Sequence, residues 1–243
     1  MPNEAYMQNE NNRILEPYPH SVMREVLDYI EKNRNIHVDI GRIPLNDKKT
    51  LDLFKKGNTE GVFGFCSPDM QKFLQQLKPN SFDDLMVLCA LYGQEGMFRP
   101  AVFDMLPEYI ERKTGKREID NIHPDIEPIV SPTCGMIVYQ DQVTEILSKI
   151  AGYSPEEAEK VRHMLAKRNP EKIAKLEPEF FCRCETRGYD RTATQKIWNL
   201  IIPYSELAGR KILVSIYTFT AYQFAYLKAH YKNEFCAAKT CAK

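Results

Sequence analysis

SPEEAEKVRHMLAKRNPEKI, residues 154–173, is the stretch of sequence with the clearest structural signal. Ser154 can cap a helix, Pro155 suits its first position, and Glu157 stands three residues after the cap, as in a capping box. Val161 and Leu165 then fall on one face of that helix. The stretch therefore predicts a helix that starts after Ser154 and packs one apolar face against a core.

The same helical spacing of apolar residues recurs over most of the chain. It is accompanied by residues that commonly cap or end helices: Ser21, Asp47 or Asn46, Gly57, Ser81 and Gly152. Further helices are predicted near residues 170–187, 191–202 and 214–241, and Pro107 predicts either a kink or a first-turn position. GVFGF, residues 61–65, is too short and too glycine-interrupted for a central strand. The sequence thus predicts a mainly α, multi-helix fold with at most short extended segments.

Composition limits the partners and the location that can be expected. The 243 residues are 43% hydrophobic, which is enough to fill a core, and 33 basic residues balance 33 acidic ones. Because the net charge is zero, any binding to nucleic acid must be local. The sequence has no run of 18 apolar residues and no signal-peptide pattern. We therefore expect a cytoplasmic protein without membrane contact.

Three regions are expected along the chain. Residues 1–20 are a polar lead that offers little to bury, which predicts disorder. Residues 21–43 are expected to form a helix and a linker. Residues 44–243 are expected to form the helical domain.

Residues 160–175 form a local cationic cluster. Six basic side chains stand there against one acidic one: Lys160, Arg162, Lys167, Arg168, Lys172 and Lys175 against Glu171. Guanidinium and ammonium groups together suit phosphate oxygens. The alternative is a solvated helix face whose charges pair with Glu156, Glu157 and Glu159 one turn away. The spacing alone leaves both interpretations open.

Two later segments also combine cations with other features of nucleic-acid binding. Arg210-Lys211 precedes the apolar run ILVSIYTF at a predicted helix entrance, where free backbone N–H groups favour anions. In the last predicted helix, Tyr222 stands among Lys228 and His230, and interleaved aromatic and basic residues suit base stacking and phosphate contact. An ordinary helix start and an amphipathic core helix are the respective alternatives.

Familiar catalytic and metal-binding motifs are missing from the sequence. It contains no D-x-D, G-x-x-x-x-G-K-[ST], G-x-S-x-G or H-E-x-x-H pattern. Acidic pairs such as Asp83-Asp84 lie in helical patterns, which predicts surface or capping roles. The seven scattered cysteines predict reduced thiols, although Cys182 and Cys184 lie close together, and Cys236, Cys241 and His230 could complete a metal site with them if the two helices met. We expect no catalytic residue, no metal site and no cofactor held by this chain.

Four stretches carry a resemblance to a known family. They are IPLNDKKTLDLFKKGNTEGVFGFCSPDMQKFLQQLKPNSFDDLMVLCALY (43–92), PEYIERKTGK (107–116), HPDIEPIVSPTCGMIVYQDQVTEILSKIAGYSPEEAEKVRHMLAKRNPEKI (123–173) and AYQFAYLKAHYKNEF (221–235). In this order they resemble the region after the palm in the bacterial C-family replicative DNA polymerases, the DNA polymerase III alpha subunit family. The resemblance spans about residues 36–240.

The resemblance implies a fingers domain of a DNA-directed DNA polymerase, a nucleotidyltransferase of DNA replication. Its expected partners are dNTP and DNA primer-template. The family associates the basic segment similar to VRHMLAKR with the nucleotide phosphates, which implies phosphate contacts from Arg162, Lys167 and Arg168. An alignment anchored on AYQ (221–223) adds Lys211. We expect contacts to DNA from Arg210, Tyr222, Lys228 and His230.

The family's three metal-binding aspartates lie in the palm, upstream of every stretch that is matched. We therefore expect Mg²⁺ only together with a palm domain and expect this chain to be inactive by itself. A truncated gene, one half of a split polymerase with a separately encoded palm, and an artificial boundary would each explain such a chain.

Several positions depart from the family pattern. Arg162-His163 stands where two arginines are usual, and Ala166 stands where glycine is usual. The loop at 91–96 lacks its arginine, Ile212-Leu213 replaces a Ser-His pair, and residues 204–209 replace a turn rich in glycine and aromatic residues. These changes take polar groups from the expected nucleotide pocket. The leading hypothesis is a fingers segment, and the alternative function is a decayed or repurposed non-catalytic helical module that binds DNA or a protein.

Overall fold

The computed structural model describes residues 19–92, 105–119, 123–167, 169–207 and 209–238, and for residue 19 and residues 204–207 it describes the backbone alone. The α-helices in these ranges are α1 (Pro19–Arg34), α2 (Lys48–Lys55), α3 (Pro68–Leu77), α4 (Phe82–Tyr92), α5 (Leu106–Lys113), α6 (Glu127–Val130), α7 (Gln140–Ala151), α8 (Pro155–Ala166), α9 (Pro170–Thr186), α10 (Arg191–Leu207), α11 (Lys211–His230) and α12 (Lys232–Ala237). Short 3-10 turns occur at Ile40–Arg42 and Ser131–Thr133. No β-strand occurs in the described ranges, which confirms the mainly α prediction.

The chain divides into two compact units. The first unit combines the chain up to Lys78 with the chain from Phe219 onward, and the second unit is Pro79–Thr218. The division falls inside α11, so the two ends of this helix belong to different units.

The first unit is built around buried aromatic rings. Phe54 is fully buried, with its ring centroid 5.3 Å from that of Phe65 and 6.2 Å from that of Tyr222. Helix α12 packs against α1, where Arg34 and Glu234 form a two-point ion pair with N–O distances of 2.7 and 2.9 Å. Because large rings bury much apolar surface, this cluster stabilises the packing of the first unit.

The second unit has its own core. Helix α8 packs against α7 and α10, and α9 packs against all three. The rings of Phe180 and Trp198 stack at the centre with 4.8 Å between their centroids, and both side chains are almost fully buried. This packing fixes α8, the helix that carries part of the cationic cluster.

Most of the predicted helix ends are confirmed. Asp47 accepts a hydrogen bond from the Thr50 N–H at 2.8 Å, and the φ of Gly152 is +67° where α7 ends. The predicted capping box is present: the Ser154 N–H donates to Glu157 at 2.8 Å, and the Glu157 N–H donates to Ser154 Oγ at 3.3 Å. Pro107 occupies the first turn of α5. These features depend on neighbouring residues alone, which is why the sequence reveals them.

Three helix predictions are wrong. The first described helix includes Pro19, so Ser21 lies inside it and does not cap it. Helix α10 continues through Pro203 to Leu207, past the predicted end at residue 202. The predicted helix 214–241 is two helices separated by Tyr231, whose φ of −133° and ψ of 50° are not helical.

None of the helices in the described ranges is both long enough and apolar enough to cross a membrane.

Candidate nucleotide and DNA contacts

A buried glutamine organises the segment before α7. Gln142 is 7% exposed, and its side-chain oxygen accepts hydrogen bonds from the backbone N–H groups of Val138 (2.7 Å) and Tyr139 (2.9 Å). Its amide nitrogen donates to the Ile129 carbonyl at 2.9 Å and to Thr133 Oγ1 at 2.8 Å. A buried amide with all these partners holds the backbone in one conformation. Gln142 thereby fixes the position of Tyr139.

Tyr139 in turn positions the start of α11. A parallel bridge pairs Tyr139 with Gly209: the Gln140 N–H donates to the Gly209 carbonyl, and the Gly209 N–H donates to the Val138 carbonyl, both at 2.9 Å. The Lys211 ammonium lies 5.6 Å from the centroid of the buried Tyr139 ring, within the range of a cation–π contact. Arg210 and Lys211 are both exposed. The bridge thus presents two predicted cationic contacts at one helix start.

Arg162 lies on α8 and is paired within its own helix. Its side chain is 4% exposed, and its guanidinium donates to both carboxylate oxygens of Glu159, with Nε–Oε2 at 2.9 Å and Nη2–Oε1 at 2.6 Å. His163 Nε2 lies 3.2 Å from Glu159 Oε1. The hydrogen bond from Arg162 holds the pKa of Glu159 below its ordinary value, and the charges of Arg162, His163 and Arg210 lower it further. Glu159 is therefore ionised at neutral pH.

The electrostatic effect of Arg210 on Glu159 connects α8 with the start of α11. In the second unit, Arg162 pairs with Glu159, Arg210 acts on the same carboxylate through its charge, and Lys211 follows Arg210 at the start of α11. We call Arg162, Arg210 and Lys211 the cationic region. Lys167 is exposed and caps the C-terminal end of α8, where the helix dipole favours a positive charge. Arg168 lies outside the described residues.

Tyr222, a predicted DNA contact, is part of the core of the first unit. Its ring is fully buried, and its hydroxyl donates to the Pro44 carbonyl and accepts from the Asp47 N–H, both at 3.1 Å. A base could not stack on this ring in the observed conformation. The aromatic and cationic pattern of the last helix had a core helix as its alternative, and for Tyr222 the structure favours that alternative.

Lys228 and His230 make contacts within the first unit as well. Lys228 Nζ donates to Glu60 Oε2 at 2.8 Å and to the Glu60 carbonyl at 2.7 Å, and its side chain is 12% exposed. His230 Nε2 lies 2.9 Å from Asp47 Oδ1, and its ring packs 4.4 Å from that of Tyr226. Burial alone would raise the pKa of Asp47, but hydrogen bonds from Thr50 and His230 hold it below its ordinary value. Lys228 and His230 are thus held by contacts inside the first unit.

The acidic pair Asp83-Asp84 divides between the two predicted roles: Asp84 caps its helix, and Asp83 is exposed at the surface. Asp84 is 2% exposed and accepts from the N–H groups of Asn80 (2.8 Å) and Ser81 (3.2 Å), while the Asp84 N–H donates to Ser81 Oγ at 3.2 Å. Lys113 Nζ lies 2.7 Å from Asp84 Oδ1.

Within the described ranges, no group of three or more His, Cys, Asp or Glu side chains could hold a metal ion. Cys241, part of the one metal set that was considered, lies outside those ranges.

Sequence reasoning missed two residues that shape the cationic region. Gln142 stands three residues after Tyr139, the spacing of a capping box, but the first residue is not Ser or Thr, so the pattern gave no signal. Glu159 was considered only as one of several partners on a solvated face. Its two-point contact with a buried arginine could not be read from spacing, because burial depends on how α8 packs against α7 and α10.

Three of the departures from the family pattern can be placed at least in part. Ile212 and Leu213 lie in the first turn of α11, and their side chains are 68% and 36% exposed. His163 is exposed and contacts Glu159. Of the loop at 91–96, residues 93–96 lie outside the described residues. Residues 204–207 are helical rather than a turn.

The sequence of the chain is similar to known proteins. A family model described as "Bacterial DNA polymerase III alpha subunit finger domain" matches residues 20–188. A DNA polymerase III subunit alpha from Halalkalibacterium halodurans is 38% identical over 218 residues, which cover 90% of this chain and 19% of that protein.

Two further relatives give the same result. The DNA polymerase III subunit alpha of Campylobacter jejuni is 35% identical over 220 residues, or 90% of this chain and 18% of that protein. The one from Staphylococcus epidermidis is 32% identical over 217 residues, or 89% of this chain and 20% of that protein. The chain spans about a fifth of the length of these curated relatives.

Proposed function

Since the chain belongs to the bacterial DNA polymerase III alpha subunit finger domain family, we propose that it contributes contacts to dNTP phosphates and template DNA in a polymerase of that type. The proposed phosphate contacts are Arg162, Lys167, Arg168 and Lys211, with Arg210 as a contact to DNA. The proposed setting is DNA replication in the cytoplasm.

The observation that supports this proposal is the cationic region. Arg162 lies on α8, whereas Arg210 and Lys211 stand at the start of α11, which the Tyr139–Gly209 bridge holds in place. The charges of Arg162 and Arg210 both act on the Glu159 carboxylate. Arg210 and Lys211 stand exposed at the N-terminal end of a 20-residue helix, where backbone N–H groups add to the attraction for an anion. Tyr222, Lys228 and His230 do not enter the proposal, because their side chains are engaged inside the first unit.

Binding of a fluorescent primer-template to this chain, measured by anisotropy with and without dNTP over a range of salt concentrations, tests the proposal. We expect salt-sensitive binding, because phosphate contacts release counterions. Changing both Lys167 and Lys211 to alanine should weaken binding and reduce the slope of log K against log salt by about 2. The pair Lys167→Ala and Arg168→Ala should weaken binding in the same way.

Lys196→Ala is the matched control. Lys196 is an exposed lysine of α10 in the same unit and is not a proposed contact, so its loss removes one charge from elsewhere on the surface. If this change weakens binding as much as Lys211→Ala alone, the attraction is a general effect of charge and the proposed contacts are wrong.

Catalysis by the chain alone is not part of the proposal. Metal-dependent nucleotidyl transfer needs neighbouring carboxylates that hold Mg²⁺, and the described residues do not offer such a group. We propose that a palm domain, either from a longer form of the chain or separately encoded, supplies it. In a primer-extension assay with Mg²⁺ and all four dNTPs, we expect no incorporation by this chain, and robust incorporation would overturn this part of the proposal.

A second function is favoured by one observation. Ile212, Leu213 and Ile216 expose apolar side chains on the first turns of α11, with exposed fractions of 68%, 36% and 54%. Apolar groups beside a phosphate site suit a non-catalytic module that binds a protein. For such a module we expect association with a protein partner that is insensitive to salt and does not compete with primer-template.

A further inference from the structure

Glu159 and Arg162 differ sharply in exposure although they form one ion pair. The Arg162 side chain is 4% exposed, whereas the Glu159 side chain is 48% exposed. Glu159 therefore forms the solvent side of the pair, and its two oxygens occupy the Nε and Nη2 edge of the guanidinium. An anion that approached this edge from solvent would meet Glu159 first.

The surroundings of Glu159 are cationic. His163 Nε2 lies 3.2 Å from Glu159 Oε1, and the charge of Arg210 also acts on the carboxylate. Lys160, next in the sequence, is exposed, and Lys167 is exposed at the end of the same helix. Arg162 and His163 thus contact this carboxylate directly, and the charge of Arg210 reaches it as well. A phosphate group placed there would meet the same donors.

An ordinary surface ion pair would not have these features. In such a pair both side chains are hydrated, and the contact contributes little. A buried guanidinium is different, because it is unstable without a counter-anion and would need one at all times. An exposed carboxylate can leave the guanidinium when a more highly charged anion takes its place, because nothing hinders the carboxylate from being hydrated again.

We propose that Glu159 is an internal counter-anion that occupies Arg162 in the unliganded chain and competes with nucleotide phosphates for it. This inference rests on the proposed function, because it assumes that Arg162 contacts phosphate. In this role Glu159 keeps Arg162 neutralised and positioned until a triphosphate replaces the carboxylate. The carboxylate then turns outward, and no covalent bond changes.

The test is the affinity of the whole chain for inorganic tripolyphosphate and for dATP, measured by calorimetry at constant ionic strength. In Glu159→Gln the competing charge is gone, and we expect binding about fivefold tighter, or roughly 1 kcal/mol. Glu156→Gln is the matched control. Glu156 is exposed on the first turn of the same helix, so its change removes the same charge without freeing Arg162, and its effect should be smaller.

A second measurement keeps the test valid if Glu159→Gln folds poorly. The side-chain Nε–H signal of Arg162 in the wild-type chain can be assigned by its absence from Arg162→Lys. This signal should shift when tripolyphosphate is added, because its acceptor changes from carboxylate to phosphate. A signal that stays in place at saturating tripolyphosphate would overturn the inference.

The outcomes separate the inference from the proposed function. If the wild-type chain binds tripolyphosphate and Glu159→Gln binds no tighter than Glu156→Gln, Glu159 is not a competitor, while the phosphate site stands. If the wild-type chain and both variants fail to bind tripolyphosphate and dATP, the proposed nucleotide contacts are wrong and the inference falls with them.

Discussion

Two buried tyrosines of this protein differ in what their hydroxyl groups contact. Tyr109 and Tyr222 are both fully buried. The Tyr222 hydroxyl makes two hydrogen bonds to backbone groups, whereas that of Tyr109 has no hydrogen-bond partner among the described residues. A buried hydroxyl without a partner loses its hydration and gains nothing in return.

The two Tyr→Phe substitutions should therefore act in opposite directions. We expect Tyr109→Phe to leave the free energy of unfolding unchanged or to raise it by up to about 1 kcal/mol, and Tyr222→Phe to lower it by roughly 1–2 kcal/mol. Urea unfolding at neutral pH measures both, and each variant is the control for the other. A large loss of stability in Tyr109→Phe would show that its hydroxyl has a partner outside the described residues.

Asp47 predicts a pH dependence of stability. Its pKa in the folded chain lies below the ordinary value near 4. A carboxyl of this kind contributes stability that is fully present above its unfolded pKa and is lost as the pH falls through its lower folded pKa. Asp47→Asn should lower the free energy of unfolding by about 1 kcal/mol at pH 6 and have a much smaller effect near pH 2.5.

Asp52→Asn is the control for this prediction. Asp52 lies on α2, the helix that Asp47 caps, and its side chain is 58% exposed. Its contact with Lys55 is a surface ion pair at 3.7 Å. Its effect should be small at both pH values. If the effect of Asp47→Asn does not change with pH, the contacts of the carboxylate with Thr50 and His230 do not matter for stability.

At the residue scale, the sequence predicted caps well and burial poorly. Asp47 and Ser154 each accept a hydrogen bond from the backbone N–H three positions later, so the local sequence is enough to predict their capping roles. Tyr222 and Arg162 are different, because each lies in a segment whose pattern fits both a solvated and a buried face. Only the packing of distant helices decides between the two.

The entry into α7 is the element on which the cationic region depends. Gln142 satisfies two backbone N–H groups and one carbonyl there, and Tyr139 carries this order to Gly209 and Lys211. The Gln142 side chain and the Tyr139–Gly209 bridge together connect residues 129–142 with residues 209–211.

Gln142→Ala should be strongly destabilising. The change leaves the Val138 and Tyr139 N–H groups without their acceptor in a buried place, and we expect a loss of roughly 2–4 kcal/mol in urea unfolding. Gln195→Ala is the control, because Gln195 is exposed on α10 and its amide donates a surface hydrogen bond to Asn199 at 3.1 Å. Equal losses in the two variants would contradict the role assigned to Gln142.

Proline shows where prediction at the element scale fails. Pro107 was expected either inside a helix or in its first turn, and it lies in the first turn. The helix near 191–202 was expected to end just before Pro203, yet α10 continues through this proline to Leu207. A proline removes one hydrogen bond and disturbs one turn, and a helix whose other turns are well packed, as at Trp198 and Ile201, can tolerate this.

At the scale of the molecule, the chain has one tryptophan, and its place makes it a selective probe. Trp198 lies in the core of the second unit, stacked on Phe180. Its fluorescence therefore reports on the second unit, whereas far-ultraviolet circular dichroism reports on the helices of both units. Two units with separate cores need not unfold together.

We expect urea unfolding followed by tryptophan fluorescence and by circular dichroism to give transitions that do not coincide. Gln142→Ala should move the fluorescence transition to lower urea, and Asp47→Ala, in the first unit, should move mainly the circular dichroism transition. Coincident transitions in the wild-type chain and in both variants would show that the two units unfold as one cooperative whole.

The family and the mainly α fold could be predicted from the sequence, because ordered motifs and helical spacing extend along most of the chain. The division inside α11 could not. The 20 residues of α11 have the pattern of one continuous helix. Nothing in that pattern marks the residue at which the helix leaves the second unit and enters the first.

The Tyr139–Gly209 bridge also bears on the order in which the protein folds. Its two residues are 70 positions apart, so the chain must close a long loop before any contact across the bridge can form. Helices such as α8 can form early from local capping signals, but Lys211 reaches Tyr139 only after that closure. The cationic region is therefore assembled late, and a newly made chain has its helices before it can attract a phosphate.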